Sequence, residues 1–127
     1  MLSLDECRKI INRHLGDIIL PGAPYNLYEP IRYMLGLGGK RIRPALVLMG
    51  CNIFTENTDT AIYPALAIEV FHNFTLMHDD IMDNSDVRRN LPSVHKKWNP
   101  NVAILSGDAM MIKAYELLCK GPAEHFP

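Results

Sequence analysis

Apolar positions recur at helical spacing almost everywhere along this chain, and no stretch alternates convincingly as a strand does, so the pattern predicts an all-α fold. Ser3-Leu4-Asp5-Glu6 fits a capping box, in which a serine and a glutamate satisfy each other's backbone N–H groups at a helix start. The first helix then carries Ile10, Ile11 and Leu15 and must stop before Pro21-Gly22. A second is built on Leu27, Ile31, Met34 and Leu35, and its Pro30 is expected in the first turn, where a missing N–H is tolerated. Gly36-Leu37-Gly38-Gly39 ends that helix, and Pro44 suits the opening of a third that runs to about Phe54. After a polar loop at 55–60 comes the longest pattern, from about residue 61 to 83. It is apolar on most faces except for a stripe through Glu69, His72, Asp79 and Asp83. Such a helix is expected to be central and buried, with its polar stripe facing a cavity. Residues 84–100 read mostly as loop, and a final helix from Val102 to Lys120 precedes Gly121-Pro122. With no repeat, low-complexity segment or internal linker, residues 1–127 read as belonging to one domain.

Composition narrows the possibilities without naming a function. The 127 residues are 48% hydrophobic and 21% charged, which suits a chain that buries a core and excludes a disordered one. A net charge of −1 gives no electrostatic footprint for nucleic acid or for an acidic membrane, so any anion binding falls to local clusters. No apolar stretch approaches the ~20 residues that span a bilayer, and the N-terminus lacks a basic start followed by an apolar run, so no transmembrane segment is expected. Cys7, Cys51 and Cys119 are odd in number and set among apolar residues, and they read as reduced core thiols of a cytoplasmic protein.

Asp79-Asp80-Ile81-Met82-Asp83 is the most specific local feature. On a helix, Asp79 and Asp83 stack on one face roughly 6 Å apart, with Asp80 on its flank. The carboxylates repel one another and lie toward a helix C-terminus, where the macrodipole disfavours negative charge. A hard cation compensates both, and Mg²⁺ is the natural one, since it commonly bridges one or two carboxylates to substrate phosphates. A solvated acidic helix end is the alternative. A second cluster, Gly38-Gly39-Lys40-Arg41-Ile42-Arg43-Pro44, sets three cations beside glycines where a helix begins, an arrangement that favours a phosphate. It lacks the Walker pattern, so a nucleotide is not implied, and a helix C-cap followed by surface charges remains the plainer reading. Arg88-Arg89 follows the aspartates closely. A different metal chemistry is open to the adjacent His78-Asp79, as ligands in a metal-dependent phosphohydrolase of the HD type, but His14, His95 and His125 sit in unpromising contexts for the rest of such a site.

Together these clusters, with the segment from Glu69 to Asp83 and with Gly107-Asp108, resemble the isoprenyl diphosphate synthases, the trans-prenyltransferase family, over nearly the whole chain from about Leu4. The resemblance is to the N-terminal half of such enzymes, most like a farnesyl or geranylgeranyl diphosphate synthase. It implies an antiparallel helical bundle of the isoprenoid synthase type. The activity it implies is a Mg²⁺-dependent condensation of isopentenyl diphosphate with an allylic diphosphate. Asp79, Asp80 and Asp83 match the first aspartate-rich motif, the catalytic carboxylates that hold metal. Lys40, Arg43, His72 and Arg89 match the isopentenyl diphosphate site, and Arg88 an allylic diphosphate contact. His78 is expected only to pack. Phe71, Phe74 and Thr75 match the wall that limits product length, with Ile68 on the same side; ordinary core packing is the alternative for these apolar residues.

The family's second aspartate-rich motif is absent from the 127 residues. The isolated chain is therefore expected to be inactive, and either to form a homodimer or to dock with a missing C-terminal half. A non-catalytic subunit or structural homologue that partners a complete synthase is a further reading.

Overall fold

The computed structural model describes residues 1–122 and residue 124. It contains helices α1 (Leu4–Gly16), α2 (Tyr25–Gly36), α3 (Ile42–Asn52), α4 (Ile62–Met82), α5 (Val94–Lys97) and α6 (Pro100–Cys119), with a 3₁₀ turn at Asp59–Ala61. The strands among the described residues are β1 (Val87–Arg88) and β2 (Leu91–Pro92), an antiparallel pair in which Val87 faces Pro92 and Arg88 faces Leu91. The all-α expectation holds, and the segment expected as loop instead holds this hairpin and α5.

Two compact units are distinguished. The first comprises Met1–Ile18, Lys40–Glu69 and the described residues from Lys113 on. Its α1 opens with the expected capping box: Glu6 N donates to Ser3 Oγ at 3.2 Å and Ser3 N to Glu6 Oε2 at 2.7 Å. Those bonds, the Ser3 backbone N–H first, hold the Glu6 carboxyl below its usual pKa. One face of α1 buries Cys7, Ile11 and Leu15 and packs on α3, which buries Pro44, Ala45 and Leu48. Leu2 N donates to Asn52 Oδ1 at 2.7 Å, tying the chain start to the end of α3. Of the three cysteines only Cys7 is a core thiol; Cys51 is half-buried and Cys119 exposed. All three are free, and burial raises the Cys7 pKa.

The second unit comprises Ile19–Gly39 and Val70–Ile112. Ile31, Met34, Val70, Met77, Val94, Ala103 and Met110 are buried there. Pro30 is not in the first turn of α2 as expected but is its sixth residue, and it is buried. The N–H that it lacks leaves a carbonyl one turn back without its helical donor, a local loss that burial of the ring and of its neighbour Ile31 offsets. Ser106, fully buried on α6, donates through Oγ to Leu27 O at 2.8 Å, which gives a serine in this core its partner.

Helix α4 lends residues 62–69 to the first unit and 70–82 to the second. It is not buried all round, since Tyr63, Ile68, Phe71 and Met82 are exposed.

Candidate diphosphate and metal site

The aspartate motif closes α4. Asn84 adopts a left-handed φ of 52°, its N–H bonds Ile81 O at 3.1 Å, and Ser85 N bonds Asp80 O at 2.9 Å. This is the Schellman arrangement with asparagine where glycine is more usual. Asp79 and Asp83, one turn apart, are exposed, whereas Asp80 is only 3% exposed. Both oxygens of Asp80 are taken by Arg88, whose Nη2 donates to Oδ1 at 2.6 Å and Nε to Oδ2 at 3.1 Å. That hydrogen-bonded carboxylate, reinforced by the charges of Asp79 and Asp83, raises the Arg88 pKa above its ordinary value. Among the described residues no three His, Cys, Asp or Glu side chains converge on one ion. The open pair Asp79 and Asp83 nevertheless fits Mg²⁺, which keeps several waters and needs only one or two carboxylates beside phosphate oxygens.

Arg88 reaches Asp80 because the hairpin places it. The loop residues Arg89 and Asn90 have φ of 50° and 67°, the two positive values that a type I′ turn requires. Ser93 Oγ donates to Ser85 O at 2.7 Å and Tyr33 Oη to Pro92 O at 2.7 Å, fastening both sides of the hairpin. Tyr33 in turn stacks edge-on against Trp98, with centroids 5.3 Å apart, and Lys97 Nζ lies 4.8 Å from the Tyr33 ring centroid. Burial pushes the Tyr33 phenol pKa up. Arg89 lies against Gly39, where an added Cβ would come within 2.8 Å of Arg89 Nη2, and Gly39 itself has a φ of 147°. That backbone conformation favours glycine at position 39, whereas the guanidinium end of Arg89 can shift aside.

His72 is half-buried on α4, and its carbonyl accepts from Thr75 Oγ1 at 2.6 Å. Thr75 thus turns its hydroxyl back onto its own helix. Phe71, Phe74 and His78 form an aromatic ladder, with successive edge-on contacts at 5.2 and 4.9 Å. His78 Nε2 lies 3.0 Å from Ile104 O and 3.9 Å from Asp108 Oδ1. Its bond to the Ile104 carbonyl requires a proton on Nε2. With that nitrogen occupied and no metal cluster among the described residues, the phosphohydrolase reading has no support. His14 and His95 add no ligand set, and His125 lies outside the described residues.

In the first unit, Lys40 and Arg43 are exposed and flank Arg41, which is not a surface cation. Arg41 Nη1 donates to Glu69 Oε1 at 2.7 Å and Nε to Asn12 Oδ1 at 3.0 Å, and the Arg41 and Glu69 side chains are 3% and 4% exposed. Glu69, expected on a stripe lining a cavity, is committed to this pair. Sequence reading also missed Asn12 and Arg8, whose Nε donates to Lys40 O at 2.8 Å. Neither carries a motif signal, and only their approach to the 40–43 segment reveals them.

Residues 24–125 match the family model for polyprenyl synthetase, and the chain belongs to that family. It is 46% identical over 105 residues to the geranylgeranyl diphosphate synthase of Methanosarcina mazei, an alignment covering 82% of this chain and 32% of that protein. The geranylgeranyl pyrophosphate synthase of Geoglobus acetivorans is 39% identical over 115 residues, covering 91% and 36%. A crystal structure of a geranylgeranyl pyrophosphate synthase superposes with a TM-score of 0.94 at 45% identity, over 99% of this chain and 38% of the other. The chain spans about a third of the length of the curated relatives it matches. These likenesses establish the all-α isoprenoid synthase fold.

Proposed function

We propose that this chain is the part of a short-chain isoprenyl diphosphate synthase, of the geranylgeranyl or farnesyl type, that binds both diphosphates and one side of the metal cluster. The observation that carries the reading is two open carboxylates, Asp79 and Asp83, on either side of an Asp80 that is held by Arg88 of the following hairpin. The relatives named above support the substrate class, isopentenyl diphosphate and an allylic diphosphate. The family match runs through both units, which supports reading 1–127 as part of one synthase domain.

Asp79 and Asp83 would hold Mg²⁺, which would supply charge neutralisation to a diphosphate leaving group, while Asp80 is held by Arg88. Lys40, Arg43, His72 and Arg89 bind isopentenyl diphosphate, Lys as a point charge and Arg as a planar fork. Arg88 takes the allylic diphosphate, and its permanent charge complements the negative charge that grows on the departing oxygen. Phe71 and Phe74, with Thr75 presenting its methyl group, form the wall that limits the growing tail. Three free cysteines suit a reducing cytoplasm. Exposed Ile104, Leu105 and Ile112 on α6 suit burial against a second copy or a further part of a synthase.

Binding of Mn²⁺, followed by electron paramagnetic resonance, tests the reading on this chain directly. Affinity is expected to rise when inorganic diphosphate is added and to be lost in Asp79→Ala and Asp83→Ala; an unchanged affinity in both variants overturns the assignment. Turnover is a separate matter, because the chemistry calls for two facing carboxylate clusters and this chain carries one. Its rate with labelled isopentenyl diphosphate, an allylic diphosphate and Mg²⁺ is expected to fall at least about a thousandfold below a complete enzyme.

A further inference from the structure

Arg41 stands between two exposed cations yet is itself buried. Its guanidinium is buried against Glu69 and Asn12, its backbone is left-handed at φ 52° and ψ 32°, and it is the N-cap of α3. A left-handed conformation at a residue with a side chain is uncommon and persists only where the surroundings enforce it. Here the enforcing contacts are visible: Glu69 from α4 and Asn12 from α1 grip the side chain, and Arg8 from α1 grips the neighbouring carbonyl of Lys40. Four cations, Arg8, Lys40, Arg41 and Arg43, are thereby held in one short region with Glu69 as the buried countercharge. A buried ion pair is weak evidence for stability, since an apolar pair of similar volume often serves as well. What an apolar pair cannot do is hold this turn by directed bonds.

We propose that Arg41 and Glu69 are positioning residues for diphosphate recognition. Their buried pair fixes the left-handed turn that presents Lys40 and Arg43 to the same anion. Asn12 is an auxiliary to it, through the Nε of Arg41. The inference rests on the assignment of Lys40 and Arg43 to a diphosphate given above, and it adds the residues that make those two side chains act together. Lysine at position 41 keeps the charge but cannot reach both Glu69 and Asn12 in the fork geometry of a guanidinium.

The test is calorimetric titration of inorganic diphosphate into the 127-residue chain, without divalent metal, alongside thermal unfolding followed by circular dichroism. Lys40→Ala and Arg43→Ala calibrate the site. Glu69→Gln and Arg41→Lys are expected to weaken diphosphate binding by about tenfold, comparable to Lys40→Ala. Asn12→Ala, at an exposed position where folding is not at risk, is expected to weaken it about two- to threefold with an unchanged melting temperature. Glu69→Asp, which restores the charge, is expected to recover part of the affinity. If the position 69, 41 and 12 variants bind diphosphate as the unaltered chain does, whatever their melting temperatures, the pair is structural only and the proposal falls. If Lys40→Ala and Arg43→Ala themselves leave the affinity unchanged, the diphosphate assignment falls and takes this inference with it.

Discussion

The imidazole of His78 occupies the space that a side chain at position 107 would need: a Cβ on Gly107 would overlap the ring at Nε2. Glycine is required there by a neighbour rather than by backbone conformation. The close approach lets His78 bond the Ile104 carbonyl while its ring braces Phe74. Gly107→Ala is expected to destabilise the chain by about 1–3 kcal/mol, the usual cost of overpacking. In urea unfolding, the double variant with His78→Ala should cost less than the sum of the two single changes, because it removes the clash.

The Asp80–Arg88 pair makes a second stability prediction, opposite in sign to that for its neighbour. Asp80→Asn leaves Arg88, itself 27% exposed, without its charged partner, and is expected to cost about 1–2 kcal/mol after discounting for solvent at the arginine. Asp79→Asn removes an exposed negative charge at a helix C-terminus and is expected to raise the melting temperature slightly. Equal effects from the two substitutions in thermal unfolding would contradict the different roles assigned to these adjacent aspartates.

The capping box gives a pH dependence with a defined sign. Glu6 has a lowered pKa when folded, so its contribution is present above its ordinary value near 4.5 and is lost as pH falls through the lower folded value. Amide hydrogen exchange in the first turn of α1 should accelerate in that acid range relative to the middle of the helix. Ser3→Ala should abolish the difference and cost about 0.5–2 kcal/mol at neutral pH.

Thiol reactivity should separate the three cysteines. Cys7 is fully buried and its pKa is raised by burial, so both access and thiolate fraction are low. Alkylation followed by mass spectrometry should label exposed Cys119 first and Cys7 only on unfolding. The raised pKa also makes Cys7 favour the fold at and below its unfolded value near 9, a contribution lost as pH rises through the folded pKa.

What the sequence determined by itself is what local chemistry encodes. The Ser3–Glu6 box, the helical period of α1 to α4 and of α6, and the placing of Asp79 and Asp83 one turn apart all follow from residues within a few positions of each other. So does the choice of the aspartate cluster and of Lys40 and Arg43 as candidates, because those residue types at those spacings are distinctive before any packing is known. The tertiary structure decided which charges were available. Arg41 reads from its neighbours as one of three equivalent surface cations, yet it is buried against Glu69, 28 positions away. Asp80 reads as a carboxylate on the flank of the Asp79 and Asp83 face, yet a hairpin turned by Arg89 and Asn90, without glycine, folds Arg88 onto it. Pro30 sits mid-helix, where proline ordinarily costs a hydrogen bond, because burial of its ring compensates. In each case the deciding energy is an ion pair or a buried surface that forms only when the chain folds back on itself, beyond the reach of one helical turn, and the period of the chain carries no record of such encounters.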